Sequence, residues 1–293
     1  MRKKEFHPLP IRSFQDKEKN KHSIMFEMTI LKPENETGIK VAPHRHDYFH
    51  ILFIKNGKGK HYIDFKVYDI IPNSIFFVSP GQVHSLEINS EVEGFVVTFN
   101  ADFFHLNQSL KKITDYPFFH SINNLPYIYL TKQNLKLASY FEDLYEEYSS
   151  DSINNDENIL RALLELILLK AARIYNYDAS ISTSSQTTKQ LRTLEVLIDN
   201  HFKEYKLTED YAEMLFMTSK ALNNICKNNL NKTVINLIHE RIIIEAKRLL
   251  LFTDNSISEI AYELGFQEKS YFMRFFKKHT SFTAKEFREK NER

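Results

Sequence analysis

From residue 24 to about residue 104, apolar side chains come in short runs bounded by turn residues, which predicts β-strands. His50-Ile51-Leu52-Phe53-Ile54, His61-Tyr62-Ile63-Asp64-Phe65, Ser74-Ile75-Phe76-Phe77-Val78 and Phe95-Val96-Val97-Thr98-Phe99 follow one plan. Asn56-Gly57-Lys58-Gly59 and Pro80-Gly81-Gln82 supply turns. Many short strands at regular spacing predict a sandwich or barrel. Further on the period becomes helical. The stretch 131–148 carries Leu135, Ala138, Phe141, Leu144, Tyr145 and Tyr148. In 156–175, Leu160, Leu164, Ile167, Ala171 and Ile174 alternate four and three apart like heptads, which fits either packing on the same domain or a dimer seam. Residues 178–188 are polar, Ser/Thr-rich and aperiodic, so they predict a flexible linker.

Near the C-terminus, Ser256 to Lys278 reads as helix, tight turn, helix, the layout of a helix-turn-helix DNA reader. Ser256 or Ser258 can cap the first helix. Ile260, Ala261 and Leu264 line its inner face, and Gly265 suits a left-handed C-cap because it lacks a Cβ. The second helix buries Phe272, Phe275 and Phe276. A degenerate copy begins at Leu207: Ala212 lies 49 residues before Ala261, while Leu222 and Lys227 lie 50 before Phe272 and Lys277. The second turn is therefore one residue longer. Between the two copies, 234–251 forms an apolar-striped helix able to fix the spacing of two readers.

The order Arg241, Ala246, Leu249-Leu250, Ile260-Ala261, Gly265-Phe266, Ser270-Tyr271-Phe272, Phe276-Lys277 and Phe287-Arg288 resembles the DNA-binding domain of the AraC/XylS transcriptional regulators over 190–293. The sequence departs from that pattern at Ser281, where the family has Gly, and at Ala284, where it has Pro. Phe216 stands where the second copy has Gly265 and predicts a strained or differently wound first turn. The resemblance implies a sensing barrel before the double reader, helices that dimerise that barrel, and activation as the common mode.

Composition changes this picture little. The chain has 293 residues and a net charge of +1; residues from 189 onward carry +3 and the rest −2. Affinity for DNA must then rest on where charge sits rather than on its sum. Lys220, Asn223, Asn224, Lys269, Ser270 and Arg274 are the candidate base readers, and Lys227, Lys277 and Lys278 the candidate phosphate contacts. A single cysteine, Cys226, excludes a disulfide framework. No apolar run reaches bilayer length, and no apolar segment follows the basic N-terminus, so neither membrane nor export is expected.

His44 and His46, two apart, face one side of a strand. Pro43 to His50 with Gly57 resembles the first cupin motif, and Ser79 to His84 the second. In metal-binding cupins the pair joins a glutamate and a third histidine; here His50 holds the glutamate position and His84 the last. Three readings stay open for these four histidines: a metal site, an effector pocket, or hydrogen-bonded structure. Loss of the carboxylate argues against catalysis, and no phosphate loop, nucleophile elbow or paired-carboxylate signature is present. The expectation is an α+β chain of two domains: a cupin-like β-barrel (1–130) with trailing helices (131–177), a linker (178–188) and an all-α double helix-turn-helix domain (189–293). It is expected to be a cytoplasmic, homodimeric, effector-responsive activator without cofactor, partnered by double-stranded DNA, a small molecule and RNA polymerase. The alternative is a cupin metalloprotein or oxygenase with an appended DNA-binding domain.

Overall fold

The computed structural model describes residues 11–12, 25–32, 38–105, 113, 116–119, 125–150, 157–178 and 185–291. The chain divides between Ser180 and Ile181 into two compact units. The first holds strands β1 (Ile11–Arg12), β2 (Phe26–Leu31), β3 (Ile39–His46), β4 (Phe49–Asn56), β5 (Gly59–Ile63), β6 (Lys66–Ile70), β7 (Ser74–Val78), β8 (His84–Ile88), β9 (Glu93–Phe99) and β10 (Tyr127–Tyr129). It also holds helices α1 (Ala101–His105), α2 (Leu137–Ser149) and α3 (Glu157–Asp178). Two five-stranded sheets form, ordered β1-β3-β8-β5-β6 and β10-β7-β4-β9-β2, antiparallel except for β1 beside β3.

Strand alternation gives the second sheet two buried faces. Its inner face contributes Leu31, Leu52, Ile54, Phe76 and Val78 to a core shared with Ile39, Ile63, Leu86 and Ile88 of the first sheet. Its outer face, with Phe26, Ile51, Phe53, Phe77 and Val97, is covered by α2 and α3 through Phe141, Leu144, Leu160, Leu164 and Ile167. Burial on both sides explains why β4 and β7 read as nearly unbroken apolar runs.

The structure decides one open reading of the sequence and departs from two expectations. The heptad-like stripe Leu160, Leu164, Ile167 and Ala171 faces its own sheet and is fully buried there, so it is no exposed dimer seam. The first trailing helix starts at Leu137 rather than 131, since the preceding residues turn, with the Thr131 N–H donating to Asn134 Oδ1 (2.6 Å). Ser185 to Thr188, assigned to the linker, open helix α4; residues 179–184 of that linker lie outside the described residues.

The second unit is all-helical: α4 (Ser185–His201), α5 (Thr208–Met214), α6 (Ser219–Leu230), α7 (Val234–Phe252), α8 (Ile257–Glu263), α9 (Lys269–Thr280) and α10 (Ala284–Asn291). The α7 helix buries Leu237, Ile238, Ile242, Ala246, Leu249 and Leu250, and packs against α6 of the first helix pair and α8 and α9 of the second, with α4 and α10 also against it. An ion network that is half-exposed at Asp199 and nearly closed at Glu245 and Arg248 runs along it: Arg241 pairs with Asp199 (2.7 Å) and Glu245 (2.9 Å), and Arg248 also reaches Glu245 (3.1 Å). Arg288 of α10 donates to the carbonyls of Leu250 (2.9 Å) and Asn255 (2.7 Å), tying the last helix to the end of α7.

Candidate functional site

The two readers are built alike from local rules. In the second, Ser256 and Glu259 form a capping box: the Glu259 N–H donates to Ser256 Oγ (3.3 Å) and the Ser256 N–H to Glu259 Oε2 (2.7 Å). In the first, Asp210 keeps half of that box by accepting the Leu207 N–H (3.1 Å). Each reading helix ends on a left-handed residue, Asn231 (φ 52°) or Ser281 (φ 65°). Two residues later a threonine caps the next helix, Thr233 for α7 and Thr283 for α10. The repeat thus extends past the reading helices, and Ser281 adopts the left-handed geometry that glycine would give.

Both turns also close identically. The Met217 N–H donates to Ala212 O (2.8 Å), and the Phe266 N–H to Ala261 O (2.9 Å), so Phe216 and Gly265 each take positive φ, 53° and 75°. Steric surroundings decide which residue is tolerated. A Cβ on Gly265 would lie 1.9 Å from the Lys203 carbonyl oxygen, whereas the Phe216 side chain is 98% exposed. The first turn is therefore strained in backbone only. Phe216→Gly is expected to stabilise this unit by up to about 1 kcal/mol by relieving the left-handed penalty. Thermal unfolding checks this; a lower midpoint would mean that the ring packs in solution.

On α9, Phe272 and Phe276 face the core, and Ser270, Arg274 and Lys277 lie exposed at i, i+4, i+7 on the opposite face. Lys269 and Lys278 are exposed beside them, with Met273 and Tyr271 as further exposed neighbours. The Ser270 hydroxyl donates to Glu268 (3.2 Å). On α6 the same geometry buries Leu222 and Cys226 and exposes Lys220, Asn224 and Lys227. Burial, with Glu195 nearby, pushes the Cys226 thiol up to about 11, so it stays an inert apolar member of the core. Asn223 departs from expectation. It is half-buried, and its Oδ1 accepts the Val234 N–H (3.0 Å), so it satisfies an open donor at the start of α7.

In the sandwich, the histidines gather at one end of the space between the sheets. The bulge between Val41 and His44 lets His44 pair in register with His84. His44, His46, His50 and His84 are all buried and are joined by His61, which the sequence reading did not single out. The Nε2 atoms of His84 and His46 are 2.7 Å apart, and His84 Nδ1 is 3.0 Å from His61 Nε2. Burial, then the charge at His44, lowers the His61 pKa to about 3; burial, then His50, His61, His46 and His44, holds His84 well below its usual value. Both are neutral at pH 7. A cavity of about 230 Å³ opens beside them, lined by Glu27, Thr29, His44, His46, Tyr48, His50, Val96 and Thr98. Glu27, missed in the sequence, arrives because Glu27 and His50 both register with Thr98 across β2-β9-β4.

A histidine-lined sandwich followed by two helix-turn-helix units on one connecting helix defines a ligand-binding, DNA-binding regulator. Comparison with known proteins agrees: the model of the AraC-like ligand binding domain matches residues 33–169, and that of a helix-turn-helix domain matches 211–290. The HTH-type transcriptional activator RhaS of Mannheimia succiniciproducens is 24% identical over 269 residues, covering 88% of this chain and 93% of the relative. The activator RhaS of Enterobacter sp. is 24% identical over 253 residues, covering 84% and 87%. Among solved structures, ToxT of Vibrio cholerae with an unsaturated fatty acid bound is 16% identical, covers 92% of this chain and 97% of its own, and has a TM-score of 0.42. The chain belongs to the AraC/XylS family of transcriptional regulators.

Proposed function

We propose that this regulator is an effector-responsive activator that works in the cytoplasm as a homodimer, reads two adjacent major-groove segments per chain and contacts RNA polymerase at its promoters. The observation that carries the reading is the matched pair α6 and α9, each with a buried apolar face and an exposed basic or polar face of recognition-helix form. The description of the RhaS relatives as activators supports activation. Among the described residues no helix is long and apolar enough to cross a membrane. The relatives are regulators and support a protein without catalytic activity over the oxygenase alternative. A small effector suits the cavity beside the histidines, and it switches the protein only if it binds the two functional states with different affinity.

The test is selection of genomic fragments by the purified protein, followed by footprinting. Two protected major-groove segments about one turn, roughly 10 bp, apart are expected. A flat profile with and without cell-extract small molecules would sink the reading.

The homodimer finds support on the outside of α3. With its heptad stripe buried, the helix still exposes Ile159 (45%) and Leu169 (39%), with Leu166 half-buried between them at i+7 and i+10. A helix apolar on both faces seeks a second cover. Replacing both Ile159 and Leu169 by Glu is expected to halve the mass measured by light scattering without loss of helix content. A variant that stays dimeric moves the interface elsewhere.

A further inference from the structure

The geometry points to a divalent transition-metal site at the histidine end of the sandwich, with His44, His46 and His84 as ligands and His61 as the residue that positions His84. This reverses the expectation of a cofactor-free protein. It is independent of the regulator reading, because metal uptake is measured without DNA.

Imidazole nitrogens suit Zn²⁺, Ni²⁺, Co²⁺ or Fe²⁺ rather than Mg²⁺ or Ca²⁺, which take oxygen. One ring nitrogen from each of His44, His46 and His84 lies within 4.8 Å of the others. Two ligands about 2.0–2.1 Å from one tetrahedral ion are roughly 3.3 Å apart. The Nε2 atoms of His46 and His84, at 2.7 Å, lie just inside that value. The rings therefore need small rotations, not a rearrangement of strands, to admit an ion.

His44 Nδ1 sits 3.0 Å from the Ala42 carbonyl, which only accepts, so Nδ1 carries the proton and Nε2 keeps its lone pair. A ligating histidine commonly holds a backbone carbonyl in this way. His84 can present Nε2 as a lone pair when its Nδ1–H donates to His61 Nε2 (3.0 Å). His61 then carries its own proton on Nδ1, a buried donor without a hydrogen-bond partner, and ion binding has to offset that cost. That is the arrangement of a ligand oriented by an outer residue.

The opposite end of the same interior is filled by Leu52, Ile54, Phe76 and Leu86, as an ordinary core would be. Five buried imidazoles at the other end hold neutral donors that a cation can use. His50 stands with its ring 5.2 Å from those of both His46 and His84, in place to complete the set. Glu27 lines the adjoining cavity and supplies negative charge near an ion.

The test uses the full chain purified without a polyhistidine tag, stripped with chelator and titrated with Co²⁺. About one ion per chain with the intense visible bands of a tetrahedral site is expected, together with a raised unfolding midpoint. Co²⁺ that binds with only the weak bands of an octahedral complex, or no uptake after chelation, overturns the proposal. His44→Ala is expected to weaken Co²⁺ binding at least 100-fold, and His61→Gln by about 10- to 100-fold with the tetrahedral spectrum retained, as an outer residue should. Unchanged affinity in a folded His44→Ala protein overturns the assignment of ligands. Should that variant fail to fold, X-ray absorption of the loaded wild-type protein decides: a nitrogen shell with imidazole scattering supports the site, and an oxygen shell rejects it.

Discussion

Glu245→Gln is expected to destabilise the DNA-binding unit by about 3–5 kcal/mol, the usual consequence of removing one partner from a buried ion pair. Glu245 Oε2 accepts from Arg241 (2.9 Å) and from Arg248 (3.1 Å), and the three side chains are 14%, 12% and 3% exposed. Burial by itself would raise the Glu245 pKa; Arg248 and Arg241 outweigh it and bring it below the normal carboxylate value. Glutamine keeps the volume and takes away the charge, so no cavity complicates the result. Arg241 keeps Asp199, and Arg248 loses the charge of Glu245. Urea unfolding of the full chain, followed by helical circular dichroism, measures the change. A loss under about 1 kcal/mol would mean that water screens the network as it does an exposed pair. The sign with pH follows from the lowered value. Stability contributed by Glu245 is present above the unfolded-state value near 4.5 and is lost as pH falls through the folded one. Wild type and Glu245→Gln should therefore converge in acid.

What could be read from the sequence follows a physical division. Local rules of capping, turn geometry and side-chain period were legible, which is why the helix pairs, Ser256 as a cap and the left-handed Gly265 stand where the pattern put them. Period also identified the shared face of Leu160, Leu164, Ile167 and Ala171, but a period states which residues lie together and not what covers them. Composition misled at Ser185 to Thr188, where intrinsic propensity yielded to helix α4 and its packing against α5, α6 and α7. Asn223 suits a reader by residue type, because an amide can pair with adenine; only the position of Val234 eleven residues later shows its amide used as a cap. Glu27 and His61 were beyond reach for another reason. Alternation gives the face of a strand, while the neighbour relations β2-β9-β4 and β5-β8 that bring these residues to the histidines are set by topology.

Lys220→Ala combined with Arg274→Ala should cost the largest share of DNA affinity, about 2–6 kcal/mol if each contact supplies the usual 1–3 kcal/mol. The two residues stand on separate helices, exposed on the faces opposite Leu222 and Phe272, so their effects should add. Competition binding across salt concentrations and a library of single-base variants separates their roles. A residue that grips phosphate weakens all sequences alike and lowers the salt slope by about one; a base reader relaxes preference at one position. Arg274 is expected to behave as a base reader, through the fork that a guanidinium offers to guanine. Asn223→Ala serves as the control, because it should lower stability by about 1 kcal/mol through the lost cap and leave base preference unchanged. If the double variant loses no more than Arg274→Ala alone, α6 does not enter the groove, and the first helix pair acts as a support for a single reader.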